Sequence, residues 1–182
     1  VNALGMDFGL WVEPEMVNPN SELYRAHRDW VIHFPGRART EARNQLILNL
    51  ARLDVQEYLI DVLDRLLGDH NIAFVKWDMN RNVSEPGWPD AAGEARELWV
   101  RYVHGLYRLL STLRERHPDV FFQSCSGGGG RADLGMLRQP GHRFFFTPEE
   151  VEPVTRILIA GIGNIFLGDD GFGVEVIRRL AE

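Results

Sequence analysis

The sequence predicts an α/β fold in which parallel strands alternate with helices. Apolar runs of strand length at 7–13, 45–51, 72–78 and 120–125 alternate with longer segments that have helical periodicity. Charged residues or glycines follow most of these runs, as is typical of parallel sheets that bind ligands at the carboxyl ends of their strands. We therefore expect the four strands to lie side by side and parallel, with the helices packed outside.

The first half of the chain supplies two of these strands and one long helix. Residues 1–5 are predicted to end a helix, and Pro14 ends the first strand because it has no backbone donor. Ser21 is a predicted N-cap of a short helix. Asp54 is predicted to cap a helix over 54–67, whose apolar residues share one face.

The second half is predicted to contain a long helix, a strand and a separate tail. The helix spans 93–116, and the strand after it leads into a glycine loop. Residues 138–155 hold three prolines and lack periodicity, which favours a linker or junction after a first domain at 1–137. Residues 156–182 are then predicted to form a last βα unit, with a helix at 171–182 and a strand at 156–161 that is expected to add to the edge of the sheet.

Composition and charge exclude several classes of function. The 182 residues carry 20 basic and 26 acidic side chains, a net charge of −6, and no run of lysine or arginine. This disfavours nucleic acids and anionic membranes as partners. No run of 18 apolar residues predicts a membrane span. Cys125 is the single cysteine, which precludes an intramolecular disulfide and favours a reducing, cytoplasmic location.

The strand at 72–78 ends in an unusual set of polar residues. Because side chains alternate along a strand, Lys76, Asp78 and Asn80 are predicted to project to one side and Trp77 to the other. A buried strand with a charged end is typical of a functional site. A salt bridge between Lys76 and Asp78 is the plain alternative, and composition alone leaves both interpretations open.

Five segments together resemble successive motifs of the α-galactosidases of glycoside hydrolase family 36. Their order and spacing match over residues 1 to about 137. The resemblance implies part of a (β/α)8 TIM barrel and retaining hydrolysis of terminal α-galactosides of the raffinose and melibiose type. It implies no cofactor, and it implies that full-length members form homo-oligomers. The matching segments are 9–17, 27–30, 43–46, 74–81 and 125–131.

The resemblance assigns a role to each polar residue of the motifs. Asp78 is the implied nucleophile, which must be an ionised carboxylate aimed at the anomeric carbon. Lys76 would hydrogen-bond sugar hydroxyls and help keep Asp78 charged. Trp11 would offer an aromatic face to the galactose ring. The other residues at family positions around the sugar are Arg43, Asn80, Cys125 and Gly127.

These residues have structural alternatives. Trp11 and Cys125 could belong to the core, and Arg43 could be an ion-pair partner. The four glycines after the strand could cradle a phosphate, but no Gly-Lys-Ser/Thr follows them. Glu13 and Glu15 look like paired carboxylates, although the resemblance assigns them a structural role.

The sequence departs from the family after residues 135–137. A retaining glycosidase needs a second carboxyl group as acid/base, and the family carries it in a Ser-Asp motif that has no match here. The family's earlier two-aspartate segment has no match either. We therefore expect a glycosidase fragment that is itself inactive.

The tail resembles a different family. Residues 156–182 are similar to the amino terminus of hydrogenase maturation endopeptidases, in which Asp170 would help bind nickel. A nickel-dependent peptidase is therefore the alternative function. A glycine-rich strand-to-helix turn without metal, in an inactive chimeric fragment, is the plainer interpretation of the same residues.

Overall fold

The computed structural model describes residues 1–91, 93–127, 130–131, 133–137 and 157–161. It divides into two units. The first unit comprises residues 1–13, 66–78 and the described part of 117–182, and the second comprises 14–65 and 79–116. The described strands are β1 (Asp7–Val12), β2 (Met16–Val17), β3 (Leu46–Ile47), β4 (Phe74–Trp77), β5 (Phe121–Ser124) and β6 (Ile157–Gly161). The described α-helices are α1 (Glu22–Ala26), α2 (Leu53–Asp69), α3 (Leu98–Arg116) and α4 (Leu134–Leu137), with 3-10 turns at Asn2–Leu4, Arg28–Trp30 and Glu94–Glu97.

A parallel sheet with the strand order β5-β4-β1-β6 forms the first unit. The register pairs Leu10 of β1 with Val75 of β4, and Val75 with Phe122 of β5. These three side chains are buried and form one row across the sheet. On the other face Phe74 and Phe121 stack with their ring centroids 5.5 Å apart. The predicted parallel arrangement of these three strands is therefore confirmed.

The tail strand also joins this sheet. β6 runs parallel to β1, with Asp7 opposite Ile157 and Trp11 opposite Gly161. The predicted addition of a tail strand to the open edge is therefore confirmed. The predicted linker at 138–155 and the predicted helix at 171–182 lie outside the described residues.

The second unit has its own core, built on α3 and most of α2. Val55, Leu109 and Leu113 are fully buried, as the apolar periodicity of both segments predicts. Gly105 allows α3 to approach Leu50, because a Cβ at this position would lie 2.0 Å from the Leu50 carbonyl oxygen. That distance is far inside van der Waals contact, so residue 105 must be glycine in this packing.

The predicted parallel strand at 45–51 is wrong. Only Leu46–Ile47 forms a strand, and it pairs antiparallel with Met16–Val17 in the second unit. Leu48 forms a further antiparallel bridge with Val31. All residues from 46 to 50 are buried. A short, continuous apolar run occurs in any fully buried segment, whether its strand pairing is parallel or antiparallel. Periodicity therefore could not show which segment residues 45–51 pair with.

The ends of the helices correct three smaller predictions and confirm one. Ser21 caps α1, because its hydroxyl oxygen accepts a hydrogen bond from the Tyr24 amide at 3.1 Å. Asp54 lies within the first turn of α2 and bonds to Arg52, so it is not the N-cap. The helix predicted at 1–5 is a 3-10 turn, and the one predicted at 93–116 begins as a 3-10 turn before Leu98.

Candidate active site

The carboxyl ends of β1 and β4 bring Trp11 and Asp78 together. Trp11 Nε1 donates a hydrogen bond to Asp78 Oδ2 at 3.1 Å. The Asp78 amide donates to the Val12 carbonyl oxygen at 2.9 Å, which extends the strand ladder by one residue. Asp78 is only 5% exposed. Asp78 is therefore held at two points. Its backbone amide bonds to β1, and its carboxylate accepts a hydrogen bond from the Trp11 indole.

Alternation along β4 sets which side chains accompany Asp78. Trp77 is 1% exposed and belongs to the packed face. Lys76 is half-buried and lies in register between Trp11 and Gln123 on the neighbouring strands. In a parallel sheet, residues in register project to the same face. Trp11 and Lys76 therefore share the face that carries Asp78.

Cys125 and Gly127 follow the next strand of the same sheet. The Cys125 amide donates to the Trp77 carbonyl oxygen at 2.8 Å, so this residue extends β5 as Asp78 extends β4. Its side chain is half-buried and carries a free thiol. Gly127 has a φ of 52°, a left-handed conformation that favours glycine. The first unit thus contains Trp11, Lys76, Asp78, Cys125 and Gly127 at the carboxyl ends of adjacent strands.

Arg43 lies at the tip of a tight turn in the second unit. Ala42 and Gln45 exchange backbone hydrogen bonds of 3.4 and 3.0 Å, and Arg43 and Asn44 between them have φ values of 55° and 54°. Two consecutive positive φ angles define a type I′ turn, which favours Asn-Gly. Asparagine tolerates this region, whereas an arginine there costs roughly 1–2 kcal/mol. The exposed Arg43 side chain is therefore presented by a strained backbone.

A buried arginine, which the sequence analysis missed, supports this turn. Arg81 is 4% exposed, and its Nε donates to the Gln45 carbonyl oxygen at 2.9 Å. Its Nη1 donates to the Asn82 carbonyl oxygen at 2.7 Å, and its Nη2 donates to the Thr40 carbonyl oxygen. Burial lowers the pKa of the Arg81 guanidinium, while nearby glutamates act in the opposite direction. Its only sequence signal was its place at the end of the 74–81 motif.

Asn80 and Glu15 complete the predicted polar positions. Asn80 is exposed and belongs to the second unit, as Arg43 does. Glu15 is fully buried, and the Tyr102 hydroxyl donates to its Oε2 at 2.5 Å. The Leu48 amide donates to the Glu15 carbonyl oxygen at 2.9 Å. These contacts agree with the structural role expected for Glu15.

The described residues contain neither a cluster of metal-ligating side chains nor a membrane-spanning helix. No three histidine, cysteine, aspartate or glutamate side chains there are grouped closely enough to hold a metal ion. None of the helices described is both long and apolar enough to cross a bilayer. Asp170, the predicted nickel ligand, lies outside the described residues.

Comparison with known proteins gives one consistent result. A family model described as Melibiase matches residues 1–168, a range that reaches into the predicted tail. Alpha-galactosidase AgaA of Geobacillus stearothermophilus is 49% identical over 160 residues, which cover 87% of this chain and 22% of the relative. Alpha-galactosidase C of Emericella nidulans is 47% identical over 154 residues, which cover 84% and 19%. The chain thus spans about a fifth of the length of the curated relatives it matches.

Solved structures show the same similarity to α-galactosidases. The crystal structure of AgaA superposes with a TM-score of 0.72 at 52% identity, over 76% of this chain and 19% of that one. The α-galactosidase of Lactobacillus brevis superposes with a TM-score of 0.72 at 42% identity, over 76% and 19%. Variants of AgaA have been crystallised with raffinose, with stachyose and with 1-deoxygalactonojirimycin.

Proposed function

The chain belongs to the melibiase family, and from that premise we propose that it carries the nucleophile half of a retaining α-galactosidase site. One observation carries the proposal. A buried carboxylate, Asp78, stands at a strand end and is fixed by the Trp11 indole at 3.1 Å. A nucleophile in glycoside hydrolysis must be held rigidly and aimed at one carbon, which this arrangement supplies.

The proposed chemistry is a displacement at the anomeric carbon. A carboxylate oxygen of Asp78 forms a bond to that carbon while the bond to the leaving oxygen breaks, which yields a galactosyl ester. Water then hydrolyses the ester and regenerates the carboxylate. The indole hydrogen bond restricts rotation of the carboxylate, so less orientational freedom is lost when the transition state forms.

The neighbouring residues bind the sugar. Lys76 and the Cys125 thiol donate to hydroxyls from the face that carries Asp78, and the ring of Trp11 packs on the apolar side of galactose. The left-handed backbone at Gly127 brings main-chain amides close to the ligand. The resemblance alone assigns Arg43 and Asn80 to the same sugar.

The substrate is a small oligosaccharide with a terminal α-galactose. Raffinose and stachyose are the ligands named for the AgaA variants, and we propose the same class here. The acid/base aspartate is proposed to be missing, because no Ser-Asp motif follows residues 135–137. Residues 156–182 are proposed to have a separate origin. We also propose that the protein needs no cofactor and is located in the cytoplasm. Its full-length relatives are proposed to be homo-oligomers.

Covalent labelling tests this function. An activated fluorosugar of galactose should form a stable adduct with the unmodified chain, seen as one added sugar by intact-mass spectrometry. Asp78→Asn should abolish the adduct. Asp7→Asn is the matched control, because Asp7 is an exposed aspartate at the amino end of β1 in the same sheet. No adduct on the unmodified chain, or loss of the adduct in both variants, would refute the proposal.

A further inference from the structure

The proposed chemistry leaves one polar residue of β5 without a role. Gln123 pairs in register with Lys76, and Lys76 pairs in register with Trp11. Residues in register in a parallel sheet project to the same face, and so do residues two positions further along each strand, here Asp78 and Cys125. Gln123 therefore lies on the face that carries the proposed nucleophile, in the row next to it.

The row of Lys76 and Gln123 lies between an aromatic row and the row of Asp78. Two residues before it, Phe74 and Phe121 pair in register and stack with their ring centroids 5.5 Å apart. An aromatic layer offers no strong hydrogen-bond partner to an ammonium or an amide. The polar ends of Lys76 and Gln123 therefore find polar partners on the side of Asp78 and not on the aromatic side.

Neither side chain is occupied by a contact within the described part of the chain. The hydrogen bonds and ion pairs formed there involve neither the Lys76 ammonium nor the Gln123 amide. The salt bridge from Lys76 to Asp78, which the sequence also allowed, is thus not formed among them. Both side chains are half-buried, so they have lost part of their hydration without a bond to replace it. Such groups favour a polar ligand.

The two side chains offer complementary hydrogen-bonding groups. A lysine ammonium only donates, whereas a glutamine amide also carries an acceptor oxygen. A sugar hydroxyl both accepts and donates. Neighbouring strands lie about 4.8 Å apart, so side chains in register can reach one ligand oxygen from two sides. A single hydroxyl can therefore accept from Lys76 and donate to Gln123.

We propose that Gln123 is a specificity-determining residue, which recognises one hydroxyl of the galactoside together with Lys76. The Lys76 ammonium donates to the oxygen of this hydroxyl, and the hydroxyl donates to Gln123 Oε1. The inference rests on the proposed function, because it takes the galactose to be bound against Asp78. Gln123 takes no part in the displacement, so its loss should weaken binding of sugars that have this hydroxyl and leave the chemical step unchanged.

The first test measures binding of methyl α-galactoside and its four monodeoxy analogues by NMR titration. Gln123→Met keeps the approximate size of the side chain and removes both polar groups. It should raise the Kd of methyl α-galactoside about 10-fold, which corresponds to about 1.4 kcal/mol. One analogue should bind both chains with the same Kd within about 2-fold, because it lacks the hydroxyl that Gln123 recognises. An equal loss for all four analogues would overturn the proposal.

Two further variants sharpen this test. Lys76→Met should single out the same analogue, and a different analogue would overturn the shared hydroxyl. Ser124→Ala is the matched control, because Ser124 is the next residue of β5 and pairs in register with Trp77 on the opposite face. Its hydroxyl oxygen is buried without a hydrogen-bond partner in the described part of the chain. Ser124→Ala should therefore leave all five Kd values unchanged.

The unmodified chain provides a measurement that does not depend on how a variant folds. The side-chain amide signal of Gln123 should shift on addition of methyl α-galactoside, and it should shift much less with the analogue that Gln123→Met singles out. An amide signal that stays in place at saturation would overturn the proposal.

Covalent labelling separates this inference from the proposed function. Gln123→Met should keep the limiting rate of labelling within about 2-fold, whatever its effect on the half-saturating concentration of the fluorosugar. Labelling of Asp78 combined with an equal loss for all analogues would overturn the role of Gln123 alone. Discrimination among the analogues without any adduct would refute Asp78 as nucleophile and support the hydroxyl site. No binding of methyl α-galactoside to the unmodified chain would refute both.

Discussion

Two polar positions of this protein are held in place by different kinds of structure. Asp78 is placed by a regular strand ladder, in which its amide continues the hydrogen bonds of β1 and β4. Arg43 is placed by an irregular turn with positive φ, which the side chain of Arg81 stabilises. A ladder fixes a side chain through backbone periodicity, whereas a strained turn needs a specific supporting residue.

The largest expected effect concerns turnover without a second carboxyl group. If the acid/base aspartate is missing as proposed, we expect this chain to hydrolyse raffinose-type substrates about 10² to 10⁴-fold more slowly than an intact family member does. An activated aryl α-galactoside, whose leaving group needs little protonation, should show a much smaller difference. Steady-state assays with both substrates measure this ratio. Robust turnover of raffinose would show that another residue, such as Asp133 or Glu13, supplies the proton.

Trp11→Phe probes the strand-end position. The substitution keeps an aromatic ring and removes the N–H that donates to Asp78 Oδ2. Hydrogen bonds to charged groups contribute about 1.5–3 kcal/mol, so we expect the limiting labelling rate to fall at least about 10-fold. The half-saturating concentration should change much less. A large change in that concentration with an unchanged rate would mean that Trp11 only binds sugar.

Asn44→Gly tests the cost of positive φ in the turn that carries Arg43. Glycine adopts positive φ without steric cost, so the substitution should stabilise the turn by up to about 1 kcal/mol. Urea unfolding measures the change. Destabilisation would show that the Asn44 side chain, not the backbone conformation, supports the turn.

A smaller effect is expected from the ion pair at the start of α2. The hydrogen bond from Arg52 holds the pKa of Asp54 below its ordinary value, with a further contribution from the charge of Arg52. A lowered pKa in the folded state stabilises the fold above the unfolded pKa of about 4, and this stability is lost as the pH falls through the folded pKa. Because the Asp54 side chain is 49% exposed, we expect only a few tenths of a kcal/mol.

Asp54→Asn tests this pH dependence. The variant should be slightly less stable than the unmodified chain at pH 7, and the two should converge at an acidic pH below the lowered pKa of Asp54. Urea unfolding at both pH values gives the difference. A difference that grows as the pH falls would contradict the assigned direction of the pKa shift.

The sequence predicted the strand-end position better than the turn, for physical reasons. Alternation along β4 is a local property, so it placed Lys76 and Asp78 on one face and Trp77 on the other without knowledge of the fold. The type I′ turn at Arg43 and Asn44 lacks the glycine that usually marks it. Arg81 has no periodic pattern, because its three acceptors are backbone groups of which two are about 40 residues away.

The burial of the segment at 46–50 was predictable from the sequence, but its strand pairing was not. Residues 46–50 are buried as completely as β4, but their partners are the antiparallel segments at Met16–Val17 and Val31. Hydrophobicity predicted that burial, whereas the strand partner is set by long-range pairing. The tail strand was predictable because an open parallel edge accepts any strand with suitable periodicity.

Locating the adduct tests directly whether Asp78 is the nucleophile. The chain would be labelled with the activated fluorosugar, digested and sequenced by tandem mass spectrometry. We expect a galactosyl ester on Asp78 alone, absent from Asp78→Asn and retained in Asp7→Asn. An adduct on any other carboxylate, or an adduct that persists in Asp78→Asn, would show that Asp78 is not the nucleophile.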